Sequence, residues 1–556
     1  MPVKRTRAAL KALKAMSGAS ASRWWRPRAA RNSPAAHARF LSGVFKLAAK
    51  AAPPSRVELT VSFLVPLLDA DSARLDALLD SFARQRPGSC ELLLCDGGSL
   101  RAATREWLER HRPDAGVRII RAEKLGAAVE SGLAAARAPW IGRLDPDGAL
   151  APFALDRVAL ALAEAPESLF LYTDEVIADE KRRPLEVVLK PAWDPVLLSG
   201  FDYIGGLALY RSDRLREIGG WREQPAADHD LALRYTEGLD AKVIRHLPYP
   251  AYFRGRDEPE PAAILLDAER AHWPRVSVII PSRDALPLIR QALSGLFEHT
   301  DYSDLEVIVV DNGSTDPRVL ALYGDVAARE SRFRLDIEPA DFNFSQAINR
   351  GVALASGDLV LLLNNDVEIL HRDWLKEMAA CFDYADVGIV GAKLLYPDRT
   401  LQHAGVIAGL GGYAGHWFIG QGEHFRGPMG RLAARQSLSV VTGACMLVSR
   451  EALRAVGPFD EAMFPVAYND VDFCLRAVKA GYRVVWTPFA QLIHHESASR
   501  GSDETPANIA RFNRDKANLR ARHRTDVFED RAFNPWYSRG ESVPHPVLLD
   551  HLPKAR

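Results

Sequence analysis

No apolar run in this chain approaches the roughly 18 to 20 residues a helix needs to cross a bilayer, and the N-terminus lacks the apolar core of a secretory signal. Cysteine is scarce: Cys90, Cys95, Cys381, Cys445 and Cys474 form no CxxC pair and stand at no histidine spacing that suggests zinc. They read as reduced core residues, which points to a cytosolic protein that touches at most the inner face of a membrane. Net charge is absent as well, since 71 Lys and Arg balance 71 Asp and Glu, and no nucleic-acid partner is expected. The balance is uneven, because residues 1–50 hold twelve Lys and Arg and no Asp or Glu.

What is present is length and a soluble composition. At 556 residues the chain exceeds a single core, so two domains plus tails are expected. Residues 1–55 read as a basic tail. Lys4, Arg7, Lys11 and Lys14 share one helical face, with Ala9, Leu13 and Met16 roughly opposite and Trp24 and Trp25 following among arginines. That pattern fits an acidic membrane surface, a disordered extension or an organellar transit peptide.

From about residue 56, short apolar runs alternate with amphipathic segments, the pattern of βαβ units around a mostly parallel sheet. The first unit, 56–262, has strand candidates at Val61–Val65, Glu91–Leu94, Val117–Ile120 and Trp140–Leu144. A charged, proline-rich linker follows at Arg254–Pro261. The second unit, 273–525, repeats the set at Val276–Ile280, Glu306–Val310, Phe333–Ile337 and Asp358–Leu363, and 526–556 is a C-terminal extension. VSFLVPLLDA at Val61 matches VSVIIPSRDA at Val276, CDGGS at Cys95 matches VDNGS at Val310, and LDPD at Leu144 matches LNND at Leu363. GGWRE at Gly219 pairs with GPFDE at Gly457, and Asp228-His-Asp with Asp470-Val-Asp. Kept order and spacing indicate one domain written twice.

The chemistry gathers at strand ends, where open α/β sheets place their ligands. After the apolar run ending at Leu363 come Asn364, Asn365 and Asp366, an oxygen-rich group suited to Mn²⁺ or Mg²⁺ and through it a diphosphate; the plain alternative is a polar turn. Asp311 can accept from the imide N–H of uracil or thymine, or simply form a turn. The segment from Phe342 and Asn343 to Asn349 and Arg350 offers amides and a guanidinium to a phosphate or sugar hydroxyl, or an ordinary polar helix surface. Val471, Cys474, Leu475 and Val478 have helical spacing ended by Gly481, which puts Asp470 in a first turn, as a cap or as a general base. His494 can complete a metal site with Asp366.

Together, Pro281, VDNGSTD, FNFSQAINRG, LLLNNDVE, TGACMLV, NDVDFCLR and HHESASRG make residues 275–500 resemble a family 2 glycosyltransferase of the GT-A fold. The likeness is to bacterial enzymes of O-antigen and related surface polysaccharides, including rhamnosyltransferase-like ones. It implies a UDP- or dTDP-type sugar donor, a glycan or lipid-linked glycan acceptor and inverting, metal-dependent transfer. By position, Asp311 would bind the base, with Pro281, Asn343, Asn349, Arg350 and Asn365 also on the donor. Asp366 and His494 would hold metal, and Asp470 would be the base. Asn364 replaces the usual first acid of the metal motif, a loss that Glu368 or His494 would have to offset. The first unit resembles the same family, with Asp96, Asp145, Asp147 and Asp228 as counterparts. An aromatic in Pro248–Phe253 stands where a metal histidine is expected, which suggests a weakened unit. A nucleotidyltransferase is disfavoured because Pro281-Ser-Arg-Asp-Ala-Leu is no glycine-rich phosphate loop, and a glycosidase needs no nucleotide site. A non-catalytic glycan-binding scaffold is the remaining alternative.

Overall fold

The structure, a computed structural model, describes residues 31–51, 58–85, 88–99, 101–110, 116–223, 226–255, 270, 272–495 and 506–547. The basic run through Trp25, most of the linker and the segment after His495 lie outside these residues. Helix α1 (Pro34–Lys50) opens the described chain. Ser33 caps it by accepting from Ala36 N, Pro34 supplies its first turn, and Phe40, Leu41, Val44 and Ala48 form one buried face. It packs on the first domain, where Val187 N donates to His37 Nδ1 at 3.2 Å. The expected tail to residue 55 is therefore corrected: its last part is a core helix, buried because those apolar side chains recur every three to four residues.

The first sheet comprises β1 (Val61–Leu67), β2 (Glu91–Asp96), β3 (Val117–Arg121), β4 (Trp140–Arg143), β5 (Ala149–Leu150), β6 (Phe170–Ala178), β7 (Pro184–Val188), β8 (Ala208–Arg211) and β9 (Ile244–Arg254). Helix α2 (Ala227–Thr236) precedes β9. The second sheet comprises β10 (Val276–Ser282), β11 (Leu305–Asp311), β12 (Phe333–Ile337), β13 (Leu359–Leu363), β14 (Val367–Ile369), β15 (Val387–Leu395), β16 (Leu401–His403), β19 (Gln436–Leu438), β20 (Cys445–Ser449) and β21 (Arg483–His494). Strands β17 (Val406–Ala408) and β18 (Ala414–His416) form a separate hairpin. Helices α3 (Phe344–Leu354), α4 (Asn469–Lys479) and α5 (Pro506–His523) belong to this half.

Strand order is β3-β2-β1-β4-β8-β6-β9-β5 in one sheet and β12-β11-β10-β13-β20-β15-β21-β14 in the other, the same sequence of neighbours position by position. The tandem α/β architecture is thus what forms. Only part of each sheet is parallel: β1 pairs in parallel with β2 and β4, whereas β8 runs antiparallel to β4 and β6. The parallel strands are mostly apolar, β13 wholly so, and every residue of β1, β11 and β13 is buried. No helix among the described residues is long and apolar enough to cross a membrane.

The C-terminal extension is also corrected, because it is built into the first domain. Asn534 Nδ2 donates to both Asp174 oxygens at 3.1 and 3.0 Å, and Trp536 Nε1 donates to Pro248 O at 2.6 Å. Asp194 of the first domain in turn accepts from Ser437 N and Oγ of the second, each at 2.7 Å.

Candidate active site

β13 crosses the core and releases Asn364, Asn365 and Asp366 at the sheet rim. β14 follows at once and runs antiparallel to the end of β21 with Val367 opposite His494, so sheet register brings Asp366 to His494. His494 Nε2 lies 3.1 Å from Asp366 Oδ1 and 3.2 Å from the Asn364 amide nitrogen. On the other edge of the ring, Nδ1 meets Gln402 Oε1 at 2.7 Å, while Gln402 Nε2 donates to the His494 carbonyl at 3.3 Å. A carbonyl only accepts, so the Gln402 oxygen must face the ring. In the neutral imidazole Nδ1 then carries the proton and Nε2 presents its lone pair.

A lone pair and a carboxylate oxygen converging at 3.1 Å suit a divalent cation that accepts both nitrogen and oxygen. Among the described residues no group of three or more His, Cys, Asp or Glu could hold a metal ion unaided. Two protein ligands fit an ion that keeps its other positions for water and substrate phosphate. Glu368 does not make up for Asn364, because His495 Nε2 engages it at 3.0 Å.

Asp470 sits in the first turn of α4. Its Oδ2 accepts from Gly443 N at 2.9 Å and its Oδ1 from Val471 N at 2.8 Å, so the carboxylate is aimed by backbone of two elements. Asp472, two residues on, faces inward to Arg476, Arg522 and His523 at 2.9, 3.0 and 2.8 Å. Burial alone would raise the Asp472 carboxyl, but His523 and the two arginines hold it below its ordinary value. It is a structural anchor of the helix. Asp366, Asp470 and His494 line one cleft of about 250 Å³.

Several expected donor contacts lie elsewhere. Asp311 is fully buried and does not line the cleft: Ser314 N and Oγ reach it at 2.6 and 2.5 Å and Tyr323 Oη at 2.8 Å, so its carboxylate serves its own turn. Asn365 donates to Ser282 Oγ at 3.1 Å and ties the ends of β13 and β10 together, and Pro281 is a strand residue opposite Val310. Asn343 caps α3 and donates to Glu461 O at 3.0 Å. Asn349 donates to Phe459 O and accepts from Phe459 N, both at 2.9 Å. Arg350 pairs with Asp336 at 2.5 Å and Glu338 at 3.3 Å. Asn343 and Asn349 brace the loop leading to α4, whereas Arg350 ties α3 to the end of β12. Gln402, His416 and Gly443 line the cleft or hold its groups, and sequence patterning assigned them no role.

The first domain has a matching cleft of about 360 Å³ lined by Asp145, Asp147 and Asp228. Asp96 repeats Asp311, accepting from Ser99 N and Oγ at 3.0 and 2.8 Å. Asp228 Oδ1 is taken by Arg143 Nη1 at 2.9 Å and Trp221 Nε1 at 2.8 Å. Ala149 lies opposite Phe253, which puts Arg254 in the register that His494 holds in the other sheet. The expected aromatic at the metal position is thereby corrected to an arginine. Arg254 Nε donates to Glu175 Oε1 at 2.8 Å; burial opposes ionisation of Glu175, but Lys190 and Arg254 bring it down to about 2. Burial, then the Asp228 carboxylate, push Asp145 up to about 6.

Comparison with known proteins agrees with this duplicated geometry. The profile of glycosyl transferase family 2 matches residues 62–219 and 277–457. The chain is 36% identical over 520 residues to the uncharacterized protein y4gI of Sinorhizobium fredii, covering 85% of this chain and 57% of that protein. It is 34% identical over 494 residues to the O-antigen biosynthesis protein RfbC of Myxococcus xanthus, covering 80% of this chain and 38% of that one. It also resembles the N-acetylglucosaminyl-diphospho-decaprenol L-rhamnosyltransferase of Mycobacterium tuberculosis, at 27% identity over 36% of this chain and 69% of that protein. The chain spans about half the length of the first two relatives. With both domains matched across more than half of its residues, the chain belongs to glycosyl transferase family 2.

Proposed function

We propose that the second domain transfers a sugar, with inversion, from a nucleoside diphosphate of UDP or dTDP type to a hydroxyl of a growing surface glycan, free or lipid-linked. The observation that carries this is the approach of Asp366 Oδ1 and His494 Nε2 to 3.1 Å in the same cleft as Asp470. Asp366 and His494 would hold Mn²⁺ or Mg²⁺, and such an ion supplies positive charge against the diphosphate. Gln402 keeps His494 turned for that task. Asp470, aimed by Gly443 N, accepts the proton of the attacking hydroxyl as its oxygen bonds to the anomeric carbon. The bond from that carbon to the diphosphate oxygen breaks, and its electron pair leaves with the diphosphate. Displacement in one step inverts the anomeric centre and needs no protein nucleophile. The relatives named for O-antigen biosynthesis and rhamnosyl transfer support a surface-polysaccharide setting.

In the first domain the groups at the corresponding places are tied to arginines: Asp228 to Arg143, and Arg254 itself in place of His494. That favours a non-catalytic, glycan-binding role for this half. The test uses the full chain, Mn²⁺ and a panel of UDP-, dTDP- and GDP-sugars, reading nucleoside diphosphate release. Asp470→Asn should lower release at least about 100-fold with donor binding nearly unchanged, whereas Asp228→Asn should leave it within about twofold. Near-normal release from Asp470→Asn would remove Asp470 from its role, and release lost in Asp228→Asn would make the first domain a catalytic one.

A further inference from the structure

Tyr210 on β8 carries a hydroxyl that the fold leaves over. The residue is 3% exposed and its ring packs edge to face on Trp221 and Tyr235, at 5.9 and 4.9 Å between centroids, yet among the described residues no hydrogen bond reaches its Oη. Buried phenols ordinarily find a partner inside the protein. Tyr210 instead lines the first-domain cleft of about 360 Å³. Burial first, then the Asp228 and Asp202 carboxylates, raise it well above its ordinary value, so the oxygen keeps its proton and can donate. Tyr210 stands opposite Ile141, and the corresponding pair in the second sheet is Val448 opposite Val360, so the hydroxyl is particular to this domain. Asp145, Asp202 and Asp228 line the same cleft. Among the described residues no hydrogen bond reaches the Asp145 carboxylate, Asp202 gives Oδ1 to Ile204 N at 3.1 Å, and Asp228 gives Oδ1 to Arg143 and Trp221, which leaves the second oxygen of each.

We propose that the first-domain cleft binds one neutral sugar residue of a glycan without a divalent cation, with Tyr210 Oη donating to a sugar oxygen, Asp145, Asp202 and Asp228 accepting from its hydroxyls, and the Trp221 ring covering its C–H face. The inference rests on the glycan-binding reading of this domain and deepens it. Ionised carboxylates only accept and the phenol is left to donate, so the ligand must carry groups that do both, as sugar hydroxyls do. Charge selects against a diphosphate. Asp145, Asp147, Asp202 and Asp228 meet only Arg143 and Arg254, and those guanidiniums are already paired, with Asp228 and Glu175. An anion would enter against a surplus of its own sign. A bridging cation has no histidine to meet either, since Arg254 holds the register of His494 and a guanidinium has no lone pair. A chain that holds the glycan in one domain and extends it in the other gains effective concentration of its acceptor.

The experiment takes the full chain labelled with fluorotryptophan, the Trp221 fluorine resonance being assigned by its loss in Trp221→Phe. Methyl glycosides of glucose, mannose, galactose, rhamnose and N-acetylglucosamine are titrated in EDTA to about 20 mM, enough to saturate a site of millimolar affinity. At least one should shift the Trp221 resonance saturably. Tyr210→Phe should weaken that glycoside about tenfold. It should leave the melting temperature and nucleotide release unchanged, because the hydroxyl it removes has no partner in the protein. Replacing EDTA with Mn²⁺ should not alter the affinity, and UDP should not displace the sugar. Full affinity in Tyr210→Phe, a need for Mn²⁺, or a lower melting temperature that marks the hydroxyl as a structural contact overturns the assignment and leaves the glycan-binding reading standing. Displacement by UDP, or no Trp221 response to any of the glycosides, overturns both.

Discussion

Gln402 touches His494 twice, at the ring and at the backbone carbonyl, and this double contact puts the proton of the neutral ring on Nδ1 and a lone pair on Nε2. Gln402→Leu would leave the chain folded around an imidazole free to take either tautomer. We expect the Mn²⁺ concentration needed for donor binding to rise about 10- to 100-fold, measured by calorimetric titration. In the other domain Asp145 tests the opposite situation, a carboxyl whose burial and neighbouring Asp228 outweigh the pull of Arg143 and Arg254. Its folded value of about 6 lies above the ordinary 3.8, so the folded state binds the extra proton and stability falls as pH rises from about 4 through 6. Asp145→Asn should therefore stabilise the protein by about 1–2 kcal/mol at pH 7.5 and by almost nothing at pH 4. Thermal melting at the two values checks it, and equal effects at both would discard the repulsion from Asp228 and the burial as causes.

Helix α3 does for Asp470 what sheet register does for Asp366 and His494. Asn343, Ser345 and Asn349 lie along its N-terminal half and bond Glu461 O, Phe464 O and both polar groups of the Phe459 backbone, with Asn349 also reaching Glu461 Oε1 at 2.8 Å. The segment they hold runs from Phe459 into Tyr468, whose positive φ of 59° turns the chain into α4. Tyr468 therefore needs outside bracing, since its left-handed conformation is strained for a residue with a Cβ. Asn349→Ala removes three bonds to this segment and should cost about 1–3 kcal/mol in chemical denaturation. It should also slow nucleotide release while donor affinity holds, because Asp470 is misplaced and Asp366 is not. Faster hydrogen exchange confined to 459–468 would identify the path, and unchanged exchange there would reject it.

The two domains, helix α1 and the described C-terminal segment form one interlocked body. Asp174, buried in the first sheet, accepts from Lys190 N at 2.9 Å, His246 Nε2 at 2.9 Å and Asn534 of the C-terminal segment. Phe40 of α1 meets Trp536 edge to face at 5.7 Å between centroids. Asn534→Ala should destabilise the chain by about 1–3 kcal/mol, since a buried carboxylate loses a donor that no water replaces. The loss should appear as a lower melting temperature of the first domain in calorimetry; a shift confined to the second domain would contradict the interlock. For the same reason the domains are to be assayed together, as a first domain cut at the linker loses the residues that cover Asp174.

Local periodicity made much of this legible. The apolar run of β13, the helical spacing of Val471, Cys474 and Leu475, and the repeat of VSFLVP in VSVIIP depend on neighbours in the chain, so the sequence alone determined the strands, the doubled α/β domain and the pairing of Asp366 with His494 as candidates. Which polar side chains face a ligand depends on partners that arrive from far along the chain, and only the tertiary structure decided that. Tyr323 and Ser314 enclose Asp311, and Phe459 and Asp336 meet Asn349 and Arg350, contacts no local pattern announces. Arg254 could not be matched to His494 by eye, since β-strand register sets that equivalence. A carboxylate or imidazole is chemically the same in either setting; packing determines which of its atoms remain for a substrate.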